Sequence, residues 1–400
     1  MDNFRRFDHL KETIGDYLEQ SRQIKTGIER EAEIKIRREK ILSYFSATEA
    51  DWQSFEWQMT NRIESADSLT ELIGLTDDEK KAVEKVGKTF RFAISPYYLS
   101  LIDEKDPFCP IKRQSVPVLD ELIERGEADP MNESGSEPVK GVARRYPDRL
   151  IIKTTNMCGM YCRFCQRRRR IGETDFHLPD RQIDEAVEYI RADPEIRDVL
   201  ITGGDALMLP DRALERMLAA LRAIDHVEII RIGTRAPVTI PQRITPELAQ
   251  MLGRFHPLYV NVHFNSPSEI TREAAEACGT LAGAGIPLGN QMVLLKGIND
   301  DAAVVRKLNQ ELLRIRVRPY YMFHPKNVIG TSHFWVKIED GLEIMDSLRG
   351  FTSGLAVPAY IVNAPNGMGK TPLLPNYLLY LGKDKAVMRN WEGKVFSLPN

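Results

Sequence analysis

Four hundred residues, 42% hydrophobic and 28% charged, make an ordinary globular composition with chain enough for one large domain or two to three smaller ones. Lys+Arg 55 against Asp+Glu 57 leaves a formal charge of −2, which argues against a general nucleic-acid binder, since such a protein is expected to be basic. The longest uncharged stretch, residues 350–369, is interrupted by Pro358, Asn363, Pro365, Asn366 and several glycines, so it is no membrane span of about 20 apolar residues.

The chain starts MDNFRRFDHL, with no apolar signal core, and a cytoplasmic protein is expected. The first hundred residues are rich in Glu, Lys and Arg with scattered apolar positions. Residues 29–45 read as an amphipathic helix, and residues 47–62, opened by a Thr-led cap and carrying Trp52, Phe55 and Trp57, as a second helical stretch. No cofactor chemistry is visible there, and the region reads as a helical cover or assembly arm. Residues 125–139 are polar with Pro, Gly and Ser and read as a loop.

A regular alternation begins near Arg149. Apolar runs at 150–154, 198–202, 228–232, 258–264, 291–295 and 316–322 alternate with helix-like stretches such as 181–192, 212–224, 268–284 and 301–314. Six such units predict an α/β fold, a parallel sheet with helices outside. Gly203, Gly204, Asp205, Thr234, Arg235, His263, Asn265 and His324 fall at the carboxyl ends of these runs, the end that carries the chemistry in barrels. After Val357 comes one more apolar run, then Gly-rich and Pro-rich sequence.

Five cysteines is an odd count, and Cys158, Cys162 and Cys165 fall within eight residues, directly after the first apolar run. Such clustering in a reduced compartment points to a metal site. Three thiolates can hold three corners of a cubane iron–sulfur cluster, which normally takes four, and leave one iron open. A closed zinc knuckle is the alternative; its fourth ligand would have to be His177, and no second cysteine pair exists. The second signal is Asn363-Ala-Pro-Asn-Gly-Met-Gly-Lys370-Thr371. A loosened phosphate-loop pattern fits 364–371, yet Ala364 breaks the strict form and Pro372 and Pro375 stop the helix such a loop must open. The other reading is a lysine whose amine forms a Schiff base with pyridoxal phosphate (PLP). The run Arg167–Arg170 could be a solvated basic turn, but it follows Cys165 at once.

The C-x3-C-x2-C pattern resembles the radical S-adenosylmethionine (SAM) superfamily, and the likeness runs from about residue 140 to 398. With the Lys370 segment and GVARRYPD at 141–148, it narrows to the lysine 2,3-aminomutase family. The resemblance implies a partial (β/α)6 barrel at 141–349, a helical N-terminal region at 1–140 and a PLP-lysine segment at 350–400. It implies a [4Fe-4S] cluster on Cys158, Cys162 and Cys165. SAM is expected at Gly203, Gly204 and Asp205 with His263 and Gln291. PLP is expected on Lys370, its phosphate held by Arg145, Tyr146 and Arg149. Arg167 is expected to grip the substrate α-carboxylate, a bidentate task suited to guanidinium. A deoxyadenosyl radical would remove a hydrogen from C3 and the nitrogen would move from C2 to C3. A protein electron donor and a homo-oligomer are expected; nucleic acid and membrane are not.

Substrate choice turns on two positions. The lysine enzymes of the family hold the distal ammonium with two aspartates; the matching positions carry Lys326 and Asn363. At about 4 Å and an effective dielectric near 20, a lysine facing an ammonium is repelled by about 4 kcal/mol. The same pair attracts a carboxylate through charge-assisted hydrogen bonds. The expected substrate is therefore L-glutamate, with lysine, free or in a protein, as the alternative. Phe323 stands where the lysine enzyme has a tyrosine. No cysteine follows Cys278, so the zinc bound near the C-terminus of some family members is not expected.

Overall fold

A computed structural model describes residues 3–172 and 174–400. The expected strands fall close to their predicted places, as β2 (Arg149–Lys153), β3 (Asp198–Thr202), β4 (Ile229–Gly233), β5 (Leu258–Val262), β6 (Leu288–Val293) and β7 (Val317–Phe323). They pair in sequence order, all parallel. Three more strands enlarge the sheet. β1 (Val142–Arg144) lies antiparallel on β2, β8 (Ala359–Ala364) is a seventh parallel strand beside β7, and β9 (Gly369–Leu373) turns back antiparallel on β8. The lysine segment thus continues the sheet; helix Ile338–Leu348 supplies the crossover that makes β8 parallel.

The strands read as period-2 because their two faces differ. On β3 and β4, Val199, Ile201, Ile230 and Ile232 are fully buried under helices Asp180–Arg191, Asp211–Arg222 and their successors. Each such aliphatic contributes about 1.5–3 kcal/mol by burial. The alternate residues, Leu200, Thr202, Arg231 and Gly233, are half-buried and face a cavity. A closed parallel barrel would be apolar on both faces; this curled sheet is a half-barrel around a polar interior.

The N-terminal region begins with two longer helices, Asn3–Gln23 and Glu31–Tyr44, followed by shorter ones, most of them capped by a Ser or Thr side chain. The expected single helix at 47–62 is broken into Glu49–Trp52 and Phe55–Thr60. Thr48 and Asp51 close a capping box on the first, and the Ser54 hydroxyl accepts from the Trp57 N–H at 3.1 Å, starting the second. Residues 125–139 contain turns and no helix or extended strand, as expected. At the other end β10 (Leu378–Leu381), β11 (Lys385–Arg389) and β12 (Val395–Pro399) form a separate antiparallel sheet, tied to helix Ile338–Leu348 by Arg389 on Asp346 at 3.1 Å. Among the described residues no helix is long and apolar enough to cross a membrane.

Candidate active site

One cavity of about 340 Å³ opens at the carboxyl ends of the parallel strands. All fifteen residues singled out from sequence line it: Cys158, Cys162 and Cys165; Gly203, Gly204 and Asp205; His263 and Gln291; Arg145, Tyr146, Arg149 and Lys370; Arg167, Lys326 and Asn363. They come from seven separate stretches of chain.

The cysteine loop follows β2 and is gripped by the N-terminal region. Tyr161 N–H donates to the Ala93 carbonyl at 3.0 Å and Arg163 N–H to that of Gln114 at 2.9 Å. The Arg163 guanidinium, 1% exposed, forks onto Glu121 at 2.6 and 3.0 Å, and Arg168 meets the same carboxylate. Arg62 donates to the Cys158 carbonyl at 2.9 Å and pairs with Asp175, which also takes Arg91 and the Tyr161 hydroxyl. Two sulfurs already have donors: the Arg167 backbone N–H at 3.3 Å from Cys165 Sγ, and Arg235 Nη1 at 2.8 Å from Cys162 Sγ. Among the described residues no three Cys, His, Asp or Glu side chains are grouped to hold one metal ion.

Gly203 and Gly204 serve the protein's own backbone. A Cβ on Gly204 would lie 2.4 Å from the Met157 carbonyl oxygen, and Gly203, at φ +148°, would put one 2.5 Å from that of Thr155. Glycine lets the end of β3 lie against the cysteine loop, with Asp205 N–H on the Met157 carbonyl at 2.7 Å. Asp205 is buried, its carboxylate accepting from Thr234 Oγ1 and Arg235 N at 2.6 Å and Leu207 N at 3.0 Å. Burial raises its carboxyl above the ordinary value despite those donors. His263 Nε2 lies 3.1 Å from Asn265 Oδ1; burial and then Arg235 push the imidazole down to about 3, so it is neutral.

At the opposite end, Lys370 lies on β9 directly across from Asn363 on β8. Its backbone N–H donates to the Tyr146 hydroxyl at 2.8 Å, and the Arg149 guanidinium sits 3.9 Å from the Tyr146 ring centroid. The residue is exposed toward the cavity mouth, yet enough protein surrounds its amine to hold it down to about 8, with Arg231 and Arg149 adding to the effect. Phe323 lies between two amines, Lys370 Nζ at 5.5 Å and Lys326 Nζ at 5.9 Å from its ring centroid. Burial, then Arg167, lowers the Lys326 amine to about 7. Asn363 Nδ2 and Arg145 Nε and Nη2 are buried without a hydrogen-bond partner among the described residues.

Sequence reasoning passed over several members of this site. Glu133 accepts from Arg167 Nε at 3.0 and 3.1 Å and Nη2 at 2.9 Å, and lies 3.6 Å from Arg145. Burial works to raise its carboxyl, but Arg167, Lys153 and Arg145 outweigh it and hold it at about 2. This pairing uses one edge of the Arg167 guanidinium and leaves Nη1 for a ligand. Arg231, paired with Asp198 at 2.8 Å, and Asn261 line the cavity from β4 and β5. Their only sequence signal is parity: they alternate with buried aliphatic residues on an inward strand face.

A curled parallel sheet with three thiols on the loop after its first parallel strand has the build of a radical SAM enzyme, and the comparisons agree. The radical SAM superfamily model matches residues 152–308 and the lysine-2,3-aminomutase model residues 345–400. The chain is 55% identical to the glutamate 2,3-aminomutase of Clostridioides difficile, over 97% of this chain and 92% of that one. It is 49% identical to the L-lysine 2,3-aminomutase of Clostridium subterminale (87% and 84% covered) and 47% to that of Bacillus subtilis (88% and 75%). The protein belongs to the lysine 2,3-aminomutase family, radical SAM isomerases whose cofactors are a [4Fe-4S] cluster, SAM and PLP.

The residues present fit those groups. Burial pushes the Cys158 and Cys165 thiols up, so thiolates there need a countercharge of the kind iron supplies. Three thiols on one loop suit a cubane, which takes each on a different iron. The Arg145 guanidinium, ion-paired with Glu133 at 3.6 Å but with Nε and Nη2 lacking hydrogen-bond partners among the described residues, suits a phosphate. A depressed lysine amine suits Schiff-base chemistry.

Proposed function

We propose that this enzyme is a glutamate 2,3-aminomutase, interconverting L-glutamate and β-glutamate. The carrying observation is the far end of the cavity, where the Lys326 amine and the unpartnered Asn363 amide face the same space as Lys370. A distal carboxylate would find a cation and an amide donor there; a distal ammonium would find a like charge. The high identity to a glutamate enzyme is in keeping with this reading. Lysine as substrate is the reading it displaces.

In this proposal Cys158, Cys162 and Cys165 hold the cluster, and Gly203, Gly204, Asp205, His263 and Gln291 surround SAM. Lys370 holds PLP, with Arg145, Tyr146 and Arg149 around its phosphate. Bound there, cluster and SAM supply a carbon radical that abstracts hydrogen, and PLP supplies an electron sink for the migrating nitrogen. The chain's own part is to bind and orient. Arg167, braced by Glu133, offers Nη1 to the α-carboxylate. Lys326 and Asn363 fix the distal carboxylate, so that C2 and C3 are presented in one pose. His263, neutral and buried, can hydrogen-bond without adding charge. The packed cysteine loop and the N-terminal helices keep water from the radical end.

The same reading assigns 1–140 as the cover, 141–349 as the barrel and 350–400 as the lysine segment. It includes a cytoplasmic location, a protein electron donor, a homo-oligomer and no nucleic-acid or membrane partner. The test is NMR of products after anaerobic incubation of the reconstituted enzyme with SAM, PLP, dithionite and 13C-labelled glutamate, or lysine. β-Glutamate is the expected product; β-lysine from lysine with glutamate untouched would overturn the assignment.

A further inference from the structure

Arg235 stands just past the end of β4, only 8% exposed, with every edge of its guanidinium engaged. Nε donates to the His263 carbonyl at 3.1 Å, and Nη2 to Glu269 Oε1 and Gln114 Oε1, each at 2.7 Å. Its Cζ lies 5.2 Å from the Phe164 ring centroid and 5.6 Å from that of Tyr98. Glu269 is itself fully buried and accepts from the backbone N–H groups of Asn265 and Ser266 and from the Tyr98 hydroxyl. So locked, the guanidinium has one direction left, and Nη1 points along it to Cys162 Sγ at 2.8 Å. A network of this size around a single cation is more than packing needs, because burying a charged pair is itself costly.

We propose that Arg235 is a positioning residue that sets the reduction potential of the iron–sulfur cluster through its contact with Cys162. Reduction adds one electron, and so one negative charge, to the cluster and its thiolates. A fixed cation donating to a ligand sulfur in a water-poor site stabilises that added charge and raises the potential. Glu269 holds the cation in place and partly offsets it, so the two residues pull the potential in opposite directions. The inference rests on the reading that Cys162 is a cluster ligand.

The experiment is an anaerobic redox titration of reconstituted enzyme without SAM, poised with dithionite and mediators and followed by the EPR signal of the reduced cluster. Leaving SAM out removes any part Arg235 plays in holding that molecule. Arg235→Gln is expected to make reduction at least tenfold less favourable, a drop of about 59 mV for a one-electron couple. Arg235→Lys, keeping the charge, should recover most of it, and Glu269→Gln should move the potential upward. An Arg235→Gln cluster with wild-type potential overturns the proposal. Should that variant take up no iron, Glu269→Gln decides alone, an unchanged potential overturning it. Iron and sulfide analysis of Cys162→Ala separates the two ideas: full cluster content there sinks the ligand reading itself.

Discussion

At the cysteine end of the cavity, each element that shapes the loop is held from more than one side: Arg163 and Arg168 on Glu121, Arg62 and Arg91 on Asp175, Arg235 on Glu269 and Gln114. At the lysine end, Lys370 rides on β9, a largely exposed edge strand whose Lys370 N–H donates to the Tyr146 hydroxyl. On the proposed function, the contrast follows the chemistry each end must carry. A reactive radical needs fixed walls and no water, whereas a substrate and its product must pass in and out. Buried ion networks therefore gather where motion is harmful, and exposed strands where passage is required.

The comparison can be broken or sharpened by mutation, starting where the effect is largest. Lys370→Ala should lower turnover by more than about a thousandfold and leave no PLP fixed to the chain by borohydride; cofactor still fixed there would place the covalent site elsewhere. Lys326→Asp with Asn363→Asp should lower kcat/KM for glutamate by about a thousandfold, the equivalent of about 4 kcal/mol, with iron content unchanged because the other end is untouched. Glu121→Ala should remove about 3–5 kcal/mol of stability in denaturant titrations and reduce cluster loading. A loss below about 1 kcal/mol would mean the N-terminal grip is idle.

Two smaller effects concern pH and a single hydroxyl. Lys326 is cationic below about 7 and neutral above it, so glutamate affinity should be fullest below that pH. It should then fall by up to about tenfold per pH unit above it. Lys370 runs the other way, since its amine reacts when neutral and is held down to about 8; the rate of PLP loading should rise through that pH. A KM for glutamate flat from pH 6 to 9 would remove Lys326 from recognition. Tyr146→Phe should weaken PLP retention by about fivefold, about 1 kcal/mol for one neutral hydrogen bond, measured by dialysis.

Two contiguous motifs stand out in the sequence because their residues lie close along the chain: three thiols on one loop and a lysine among glycines; the Arg145-Tyr146 pair is carried by the family resemblance alone. The parallel strands were readable because one face of each packs on helices. Glu133, Arg231 and Asn261 were not, for each is a lone polar residue whose neighbours in space are far along the chain. Arg235 could be seen only as a strand-end residue, with nothing to tie it to Cys162, Gln114 or Glu269. The break at Ser54 was missed because a capping serine inside an apolar helical pattern looks like a surface position. β8 was seen as an apolar run, but its parallel pairing depends on a crossover helix that was not anticipated.

The register of the last hairpin has one more implication. Asn363 and Lys370 are facing partners across β8 and β9, so their side chains rise from one face at a separation set by the ladder itself. On the proposed reading, the lysine that holds PLP and one jaw for the distal acid are thereby gauged against each other by main-chain hydrogen bonds. Such a caliper measures chain length as well as charge, and it should turn away aspartate and 2-aminoadipate, one methylene short and one long, although both carry the right ends.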